Sequence, residues 1–412
     1  MAFDYSGNIL HCDGVPLPDI GKEAGTPCYV YSAAMIVQRY REYDAAFGDV
    51  DHEVCYAVKA NSNVSLLRIL AEAGAAFDIV SGGELYRVLQ AGGDPEKVVF
   101  SGVGKTAEEI EYALSRNIHT FNCESEPEID LIDALAGRNS VKARVALRVN
   151  PDVDAATHPY ISTGLSQHKF GIDIAEVEHV YSRALHHPNI ALEGVSCHIG
   201  SQILDTAPLL ESVDKMLALV DRLRGNGVPI RHLDLGGGLG VAYKPTDEAP
   251  SIPDLIAAIR EKARGRNLKI MVEPGRSIVG DAGVLLTRVL YRKQTPAKEF
   301  IVVDAAMNDL IRPALYQSHH EILPVRKPQP GEGILADVVG PICETGDFLA
   351  RNRQLPHVFP GDVLAVMTSG AYGFVQSSNY NSRPRVAEIM VEGSQWRVIR
   401  QRETFEDLVR GE

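Results

Sequence analysis

The stretch CYAVKAN, Cys55–Asn61, ends a short apolar run in a lysine. An ammonium there has two readings. It snorkels to solvent, or it sits in a desolvated site whose low polarity frees the Lys59 amine to attack a carbonyl. HLDLGGGLG sets Gly236, Gly237 and Gly238 in a row at the end of another apolar run. Consecutive glycines let backbone N–H groups converge on a phosphate; the bland reading is a tight structural turn. No Gly-Lys-Ser/Thr follows, and the spacing is not that of a dinucleotide fingerprint, so one phosphate is the better fit. EPGRS brings Glu273, Gly275 and Arg276 together. A carboxylate facing a pyridine nitrogen keeps that nitrogen protonated, whereas an ordinary Glu–Arg pair would close a strand–loop junction. His198, in SCHIGSQ, suits stacking on a flat ring or a structural role. Lysine, glycine cradle, carboxylate and imidazole together describe a pocket for pyridoxal phosphate.

Such residues need a scaffold that gathers them. Eight apolar runs, from EVCYAVKAN to IMVEPGR, alternate with helix-like segments such as SLLRILAEAG, GELYRVLQAGG and TAEEIEYALSRN. Their number and near-continuous apolarity match a (β/α)8 barrel rather than an open doubly wound sheet. Each run ends in chemistry: Lys59, Asp78, Ser101, Asn122, Asn150, His198, Gly236–Gly238 and Glu273–Arg276. A barrel collects all its strand carboxyl ends on one face. The segment HPYISTGLSQHKFG, residues 158–171, is a Gly/Ser/His-rich loop whose position and Gly/Ser content permit closure over a substrate without establishing it. After about residue 285 the pattern changes to alternating apolar and polar residues bounded by Gly, Pro and Asn, a mainly β domain. The expected division is a strand segment at 1–30 joining the β domain, a cofactor-binding barrel at 31–283, and a C-terminal β domain at 284–412.

Bulk properties narrow the class. A length of 412 residues suggests two domains. The formal charge of −13 argues against nucleic acid or an anionic membrane as partner. The six cysteines form no CxxC pair or finger spacing and read as free thiols, with no metal expected. MAFDYSGNIL lacks the features of a signal peptide, and no apolar run is long enough to span a bilayer. A cytoplasmic protein is expected.

YAVKAN, CHIGSQ, DLGGGLG, EPGRS, MNDLIRPALY, GPICETGD and SGAYG occur in this order through both halves. With them the chain resembles the fold-type III pyridoxal phosphate-dependent decarboxylases. The resemblance implies a TIM-like barrel followed by a β domain, the alanine racemase-like arrangement. It implies that Lys59 carries the cofactor covalently, that Glu273 meets the pyridine nitrogen and that His198 stacks on the ring. Ser201, Gly237 and Gly238 would hold the phosphate, with Asp78, Gly236, Gly275, Arg276 and Tyr372 completing the cofactor site. Arg276, Arg312, Tyr316, Glu344 and Tyr372 would contact substrate. Cys343 would donate a proton, and Cys343 and Glu344 would reach the site from the partner subunit of a homodimer. HKFG and FNCES fit as well, with Cys123 where an aliphatic residue is expected.

Substrate choice rests on the distal groups. Arg276 and Arg312 suit a carboxylate, and Glu344 suits an ammonium. Meso-2,6-diaminopimelate carries both at its far end, whereas ornithine, lysine and arginine offer only a cation there. The expected reaction is decarboxylation of diaminopimelate to L-lysine and CO2, the last step of lysine synthesis. A decarboxylase of ornithine, arginine or a carboxylated polyamine is the alternative. A racemase is disfavoured by Glu273, since that family places arginine at the ring nitrogen. A non-catalytic cofactor binder is disfavoured because Lys59, Cys343 and Glu344 are all present.

Overall fold

The computed structural model describes residues 2–154, 169–328, 331 and 333–412; residues 158–168 of the lid-like loop lie outside them. The chain forms two compact units, residues 39–241 with 248–277, and residues 1–38 with 242–247 and 278–412.

Phe3–Ser6, Ile9–Cys12 and Val15–Pro16 form a small antiparallel meander. Strand β1 (Cys28–Ser32) and helix α1 (Ala33–Phe47) follow. Strands and helices then alternate: β2 (His52–Ala57), α2 (Val64–Glu72), β3 (Ala76–Ile79), α3 (Gly82–Gln90), β4 (Val98–Phe100) and α4 (Ala107–Ser115). The series continues through β5 (Thr120–Cys123), α5 (Glu126–Arg138), β6 (Ala143–Asn150), α6 (Val177–Ala184) and β7 (Ile190–Ser196). It ends with α7 (Ala207–Gly225), β8 (His232–Asp234), α8 (Ile252–Ala263) and β9 (Lys269–Val272). All pairings are parallel, in the order β6-β7-β8-β9-β2-β3-β4-β5, and β5 pairs with β6 to close the barrel. Closure leaves none of the eight barrel strands with a free edge, and the short strand Ile172–Asp173 adds on beside β6. The predicted (β/α)8 barrel is thus observed.

Local chemistry explains the elements. AFDI, VVF and TFNC are buried at every position, as strands covered on both faces must be. Helix starts are capped by side chains: Asn63 accepts from Ser65 N, Ser81 from Glu84 N, and Thr106 forms a reciprocal capping box with Glu109. Each cap sits just beyond a strand's carboxyl end, so it also fixes where the chain leaves the barrel mouth.

The second unit is a mixed sheet. After β9 come β10 (Gly283–Gln294), β11 (Glu299–Val303), β12 (Ile322–Pro324) and β13 (Ile334–Val339). Then follow β14 (Phe348–Leu355), β15 (Val363–Val366), β16 (Ala387–Glu392) and β17 (Gln395–Arg400). The order is β14-β13-β11-β10-β1-β16-β17, with β15 pairing both β10 and β12. β1 lies inside this sheet, antiparallel to β10 and parallel to β16. Val30, Val284, Leu286, Ala365, Ile389 and Val391 share its apolar core. Buried Tyr31 donates to Glu388 Oε1 at 2.8 Å, and Arg400 Nε reaches Glu388 Oε2 at 2.7 Å, so the buried carboxylate is paired on both oxygens. Among the described residues no helix is long and apolar enough to cross a membrane, and no metal-binding cluster occurs.

Candidate active site

Apolar β2 runs to Ala57, and Val58–Ala60 then tightens into a 3-10 turn. Asn61 Oδ1 accepts from Asn63 N at 3.1 Å, and Tyr56 OH donates to Asn61 O at 3.0 Å, so the turn is braced before α2 begins. Lys59 emerges from it and donates from Nζ to Asp78 Oδ2 at 2.8 Å. Asp78, next to last in the neighbouring strand β3, is fully buried, whereas the Lys59 side chain keeps 36% exposure. The ion pair offsets the desolvation of a carboxylate that would otherwise be costly to bury.

Across the strand ends lies a buried polar floor. Asn122 Nδ2 donates to Asp234 Oδ2 at 3.0 Å and to Ser101 Oγ at 3.2 Å, and Ser101 Oγ donates to Glu273 Oε1 at 3.3 Å. Asp234 and Glu273 are hydrogen-bonded side chain to side chain. Two carboxyls in such contact must share a proton. Burial pushes the Glu273 carboxyl well above the usual range, and the charges of Asp234 and Asp78 add to this while Lys59 opposes it. A cationic nitrogen in front of Glu273 would restore the balance.

His198 follows β7. Its Nδ1 accepts from Gly237 N at 3.2 Å. Burial, with Arg148 and Lys59 nearby, drives its proton affinity well below the ordinary imidazole value, so the ring is neutral. The glycine run must stay bare: a Cβ on Gly237 would stand 2.2 Å from Glu273 O, and one on Gly238 2.6 Å from Gly200 O. Gly236 adopts φ +66° and Gly238 φ +115°, backbone that favours glycine. Gly275 packs where a Cβ would meet Ala60 Cβ at 2.9 Å. Buried Arg276 donates to Ser201 Oγ at 3.1 Å.

Lys59, Ser101, Asn122, Arg148, His198 and Glu273 line a cavity of about 420 Å³, a size that admits a substituted ring. Asp78 reaches this cavity through Lys59. The donor set fits a pyridoxal group: an amine for its aldehyde, a flat neutral imidazole for its face, and an acid for its ring nitrogen. Asp78 Oδ1 and Asn122 Oδ1 are buried without a hydrogen-bond partner, which further suits a ligand carrying donors.

Arg148 was missed by the motif reading. It lies in β6, pairs with Glu124 Oε1 at 2.8 Å, and spreads over the Phe170 ring at 4.8 Å. Its signal was an arginine within the apolar run RVALRVN. Ser101 and Asn122 were noticed only as strand ends, and Asp234 not at all, because their partners are far away in sequence.

The remaining expected residues belong to the β unit. Arg312 is buried, Tyr316 OH accepts from Gln376 Nε2 at 3.3 Å, and Tyr372 adopts φ +55°. Cys343 and Glu344 sit exposed on a loop built around buried Asp347, which accepts from Ile342 N and Met307 N, each at 2.7 Å. Asn381 accepts from Cys343 N at 2.9 Å, and Tyr380 OH donates to Glu344 Oε2 at 2.7 Å.

Comparison with known proteins agrees with this chemistry. Residues 33–280 match the family model described as pyridoxal-dependent decarboxylase, pyridoxal binding domain. The diaminopimelate decarboxylase of Pseudomonas aeruginosa is 56% identical over 100% of this chain and 98% of its own length. That of Aquifex aeolicus is 48% identical over 98% of this chain and 96% of its own. Among solved structures, diaminopimelate decarboxylase from Helicobacter pylori complexed with L-lysine superposes with a TM-score of 0.92 at 42% identity, covering 96% of this chain and 98% of that one. The enzyme of M. jannaschii in co-complex with L-lysine gives a TM-score of 0.94 at 36% identity, covering 99% and 96%. With the barrel, the lysine and the acid-floored cavity in place, these likenesses carry a single conclusion: the chain belongs to the pyridoxal-dependent decarboxylases, and within them to the diaminopimelate decarboxylases.

Proposed function

We propose that the chain binds pyridoxal 5'-phosphate through Lys59 and removes one carboxylate from meso-2,6-diaminopimelate, giving L-lysine and CO2. The observation that carries the reading is the cavity with Lys59 on one wall, neutral His198 on another and the proton-rich Glu273–Asp234 pair at its floor.

When bound, the cofactor supplies an electron sink for the bond to CO2. The protein's own residues do the rest. With the group bound, the Glu273 carboxylate would face the ring nitrogen and keep it protonated, and burial beside Asp234, which disfavours an uncompensated negative charge there, would favour that cationic partner. His198 presents an uncharged face, its Nδ1 engaged by the Gly237 amide. Gly236, Gly237, Gly238 and Ser201 offer the phosphate small residues and a hydroxyl, with Gly275 and Arg276 adjoining. Arg276, Arg312, Tyr316 and Tyr372 are assigned to substrate, the arginines to carboxylate.

Cys343 is assigned the proton returned to the substrate carbon, and Glu344 the distal ammonium. Both are exposed on a tightly braced loop, as residues offered to a partner subunit must be. We therefore infer a homodimer with shared sites, in which residues 31–283 hold the cofactor and 284–412 complete a site. Six unpaired cysteines support a reducing, cytoplasmic setting.

Incubating the purified protein with meso-diaminopimelate, with and without pyridoxal phosphate, tests the reading. Lysine should appear only in the loaded sample. CO2 release from ornithine or arginine in preference would move the chain to the polyamine branch.

A further inference from the structure

Arg312 is fixed from several directions at once. Its guanidinium lies over the Tyr243 ring at 5.1 Å and the Tyr316 ring at 5.8 Å. Nη2 donates to Ser318 Oγ at 3.2 Å, and Nε donates to His320 Nε2 at 3.4 Å. The same Tyr243 ring meets the His320 ring edge-on, with centroids 5.1 Å apart and planes at 76°.

His320 is wholly buried, and its two ring nitrogens face unlike partners. Nδ1 lies 2.9 Å from the carbonyl oxygen of Met367. A carbonyl only accepts, so Nδ1 carries a proton; an arginine Nε only donates, so Nε2 must present a lone pair. Both contacts therefore demand one tautomer, and it is neutral. A protonated imidazole would lose the Arg312 contact and set two cations against each other.

We propose that His320 is a positioning residue, orienting Arg312 to receive the substrate's distal carboxylate. The direction of a bidentate carboxylate contact is set by the guanidinium plane. That plane is defined by Nε, the atom His320 engages, and by the two tyrosine faces. The long arginine stem is thus ordered before substrate arrives, and less freedom is lost on binding. His319, one residue earlier, does a different job: it faces Glu321 and Arg353. The inference rests on the reading of Arg312 as the distal-carboxylate residue.

The product and its analogue supply the test. Decarboxylation removes one carboxylate, so L-lysine keeps the distal one, whereas 1,5-diaminopentane has neither. His320→Asn keeps a donor toward Met367 and withdraws the acceptor from Arg312. In the cofactor-loaded enzyme it should raise KM for meso-diaminopimelate and weaken L-lysine inhibition by about tenfold or more. kcat, the visible cofactor spectrum and inhibition by 1,5-diaminopentane should stay near those of the unsubstituted enzyme. His320→Gln, which can place an amide oxygen toward Arg312, should recover most of the L-lysine affinity.

Equal weakening of both inhibitors, or no change in either, overturns the proposal. A measurement without substitution guards against a variant that fails to fold. Nitrogen NMR of the intact enzyme should show a histidine protonated at Nδ1 whose signals shift on adding L-lysine and not 1,5-diaminopentane. Absence of that response counts against the proposal. Failure of the underlying reading has its own signature: the unsubstituted enzyme would show no preference for L-lysine over 1,5-diaminopentane, and the proposal would fall with it.

Discussion

Lys59 Nζ and Asp78 Oδ2 stand 2.8 Å apart at the ends of neighbouring strands, one side chain partly open to solvent and the other sealed. On the proposed reading the lysine has two duties, as the amine that meets the cofactor and as a cation beside a buried acid. Lys59→Ala should abolish both activity and the visible absorbance of lysine-bound cofactor. It should also destabilise the fold by about 1–3 kcal/mol, a range reduced from that of fully buried pairs because Lys59 is partly exposed. Adding Asp78→Asn should recover the melting temperature and not the absorbance. Equal melting of the single variant and the parent would deny the second duty.

Glu273 gives a separable outcome. Glu273→Ala removes the acid proposed to face the ring nitrogen while leaving Lys59 in place. The cofactor should still bind and absorb, and kcat should fall by about 10²–10³-fold, the usual scale for losing one preorganised electrostatic partner. A variant that keeps more than half the parent rate would show that the ring nitrogen needs no acid.

The proposed sharing of sites between two subunits makes a quantitative prediction for mixtures. Lys59→Ala spoils the barrel half of a site, and Cys343→Ala spoils the loop half. Each variant alone should be nearly inactive. After mixing and subunit exchange, about half of the dimers are mixed, and each carries one intact site, so about a quarter of the parent activity should return. No recovery, with exchange verified by mass, would place Cys343 in the site of its own chain.

Asp309 predicts a pH dependence of stability. Burial pushes its carboxyl from 3.8 up to about 7, an effect opposed by the Ala306 N–H and by Arg383. Below about pH 4 the acid is neutral in both folded and unfolded chains, and its stabilising contribution is fully present. Above that, the unfolded chain releases the proton first, so stability is lost at up to about 1.4 kcal/mol per pH unit until about pH 7. Asp309→Asn keeps one acceptor oxygen, for Ala306 N, and removes the titrating proton, at the cost of the acceptor that faces Asn308 Nδ2. Its melting temperature should rise relative to the parent between pH 5 and pH 8. Parallel melting curves would remove Asp309 from this account.

Much of the barrel was legible because its strands are short, largely buried on both faces and soon followed by polar or glycine residues. Lys59, His198 and Glu273 stood out for the same reason: polar groups at the ends of apolar runs. The Asn122–Asp234–Glu273 floor did not, since those residues meet only once the barrel closes, and spacing along the chain carries no trace of that contact. Arg148 carried only the weak signal of an arginine inside an apolar run, and its partner Glu124 comes from the end of the neighbouring strand. His320 was hidden differently, because its proposed role depends on which partner each ring nitrogen faces.

The position of β1 has a consequence in time. Residues 28–32 pair with 387–391, so a strand made early by the ribosome waits for one made among the last. Until β16 arrives, the Tyr31 hydroxyl lacks the Glu388 oxygen it bonds in the finished sheet. The barrel between them pairs neighbours in sequence along most of its length, and only its β9–β2 seam joins residues far apart in the chain. Synthesis therefore presents the cell with a nascent chain whose barrel strands can pair while β1 remains an open template.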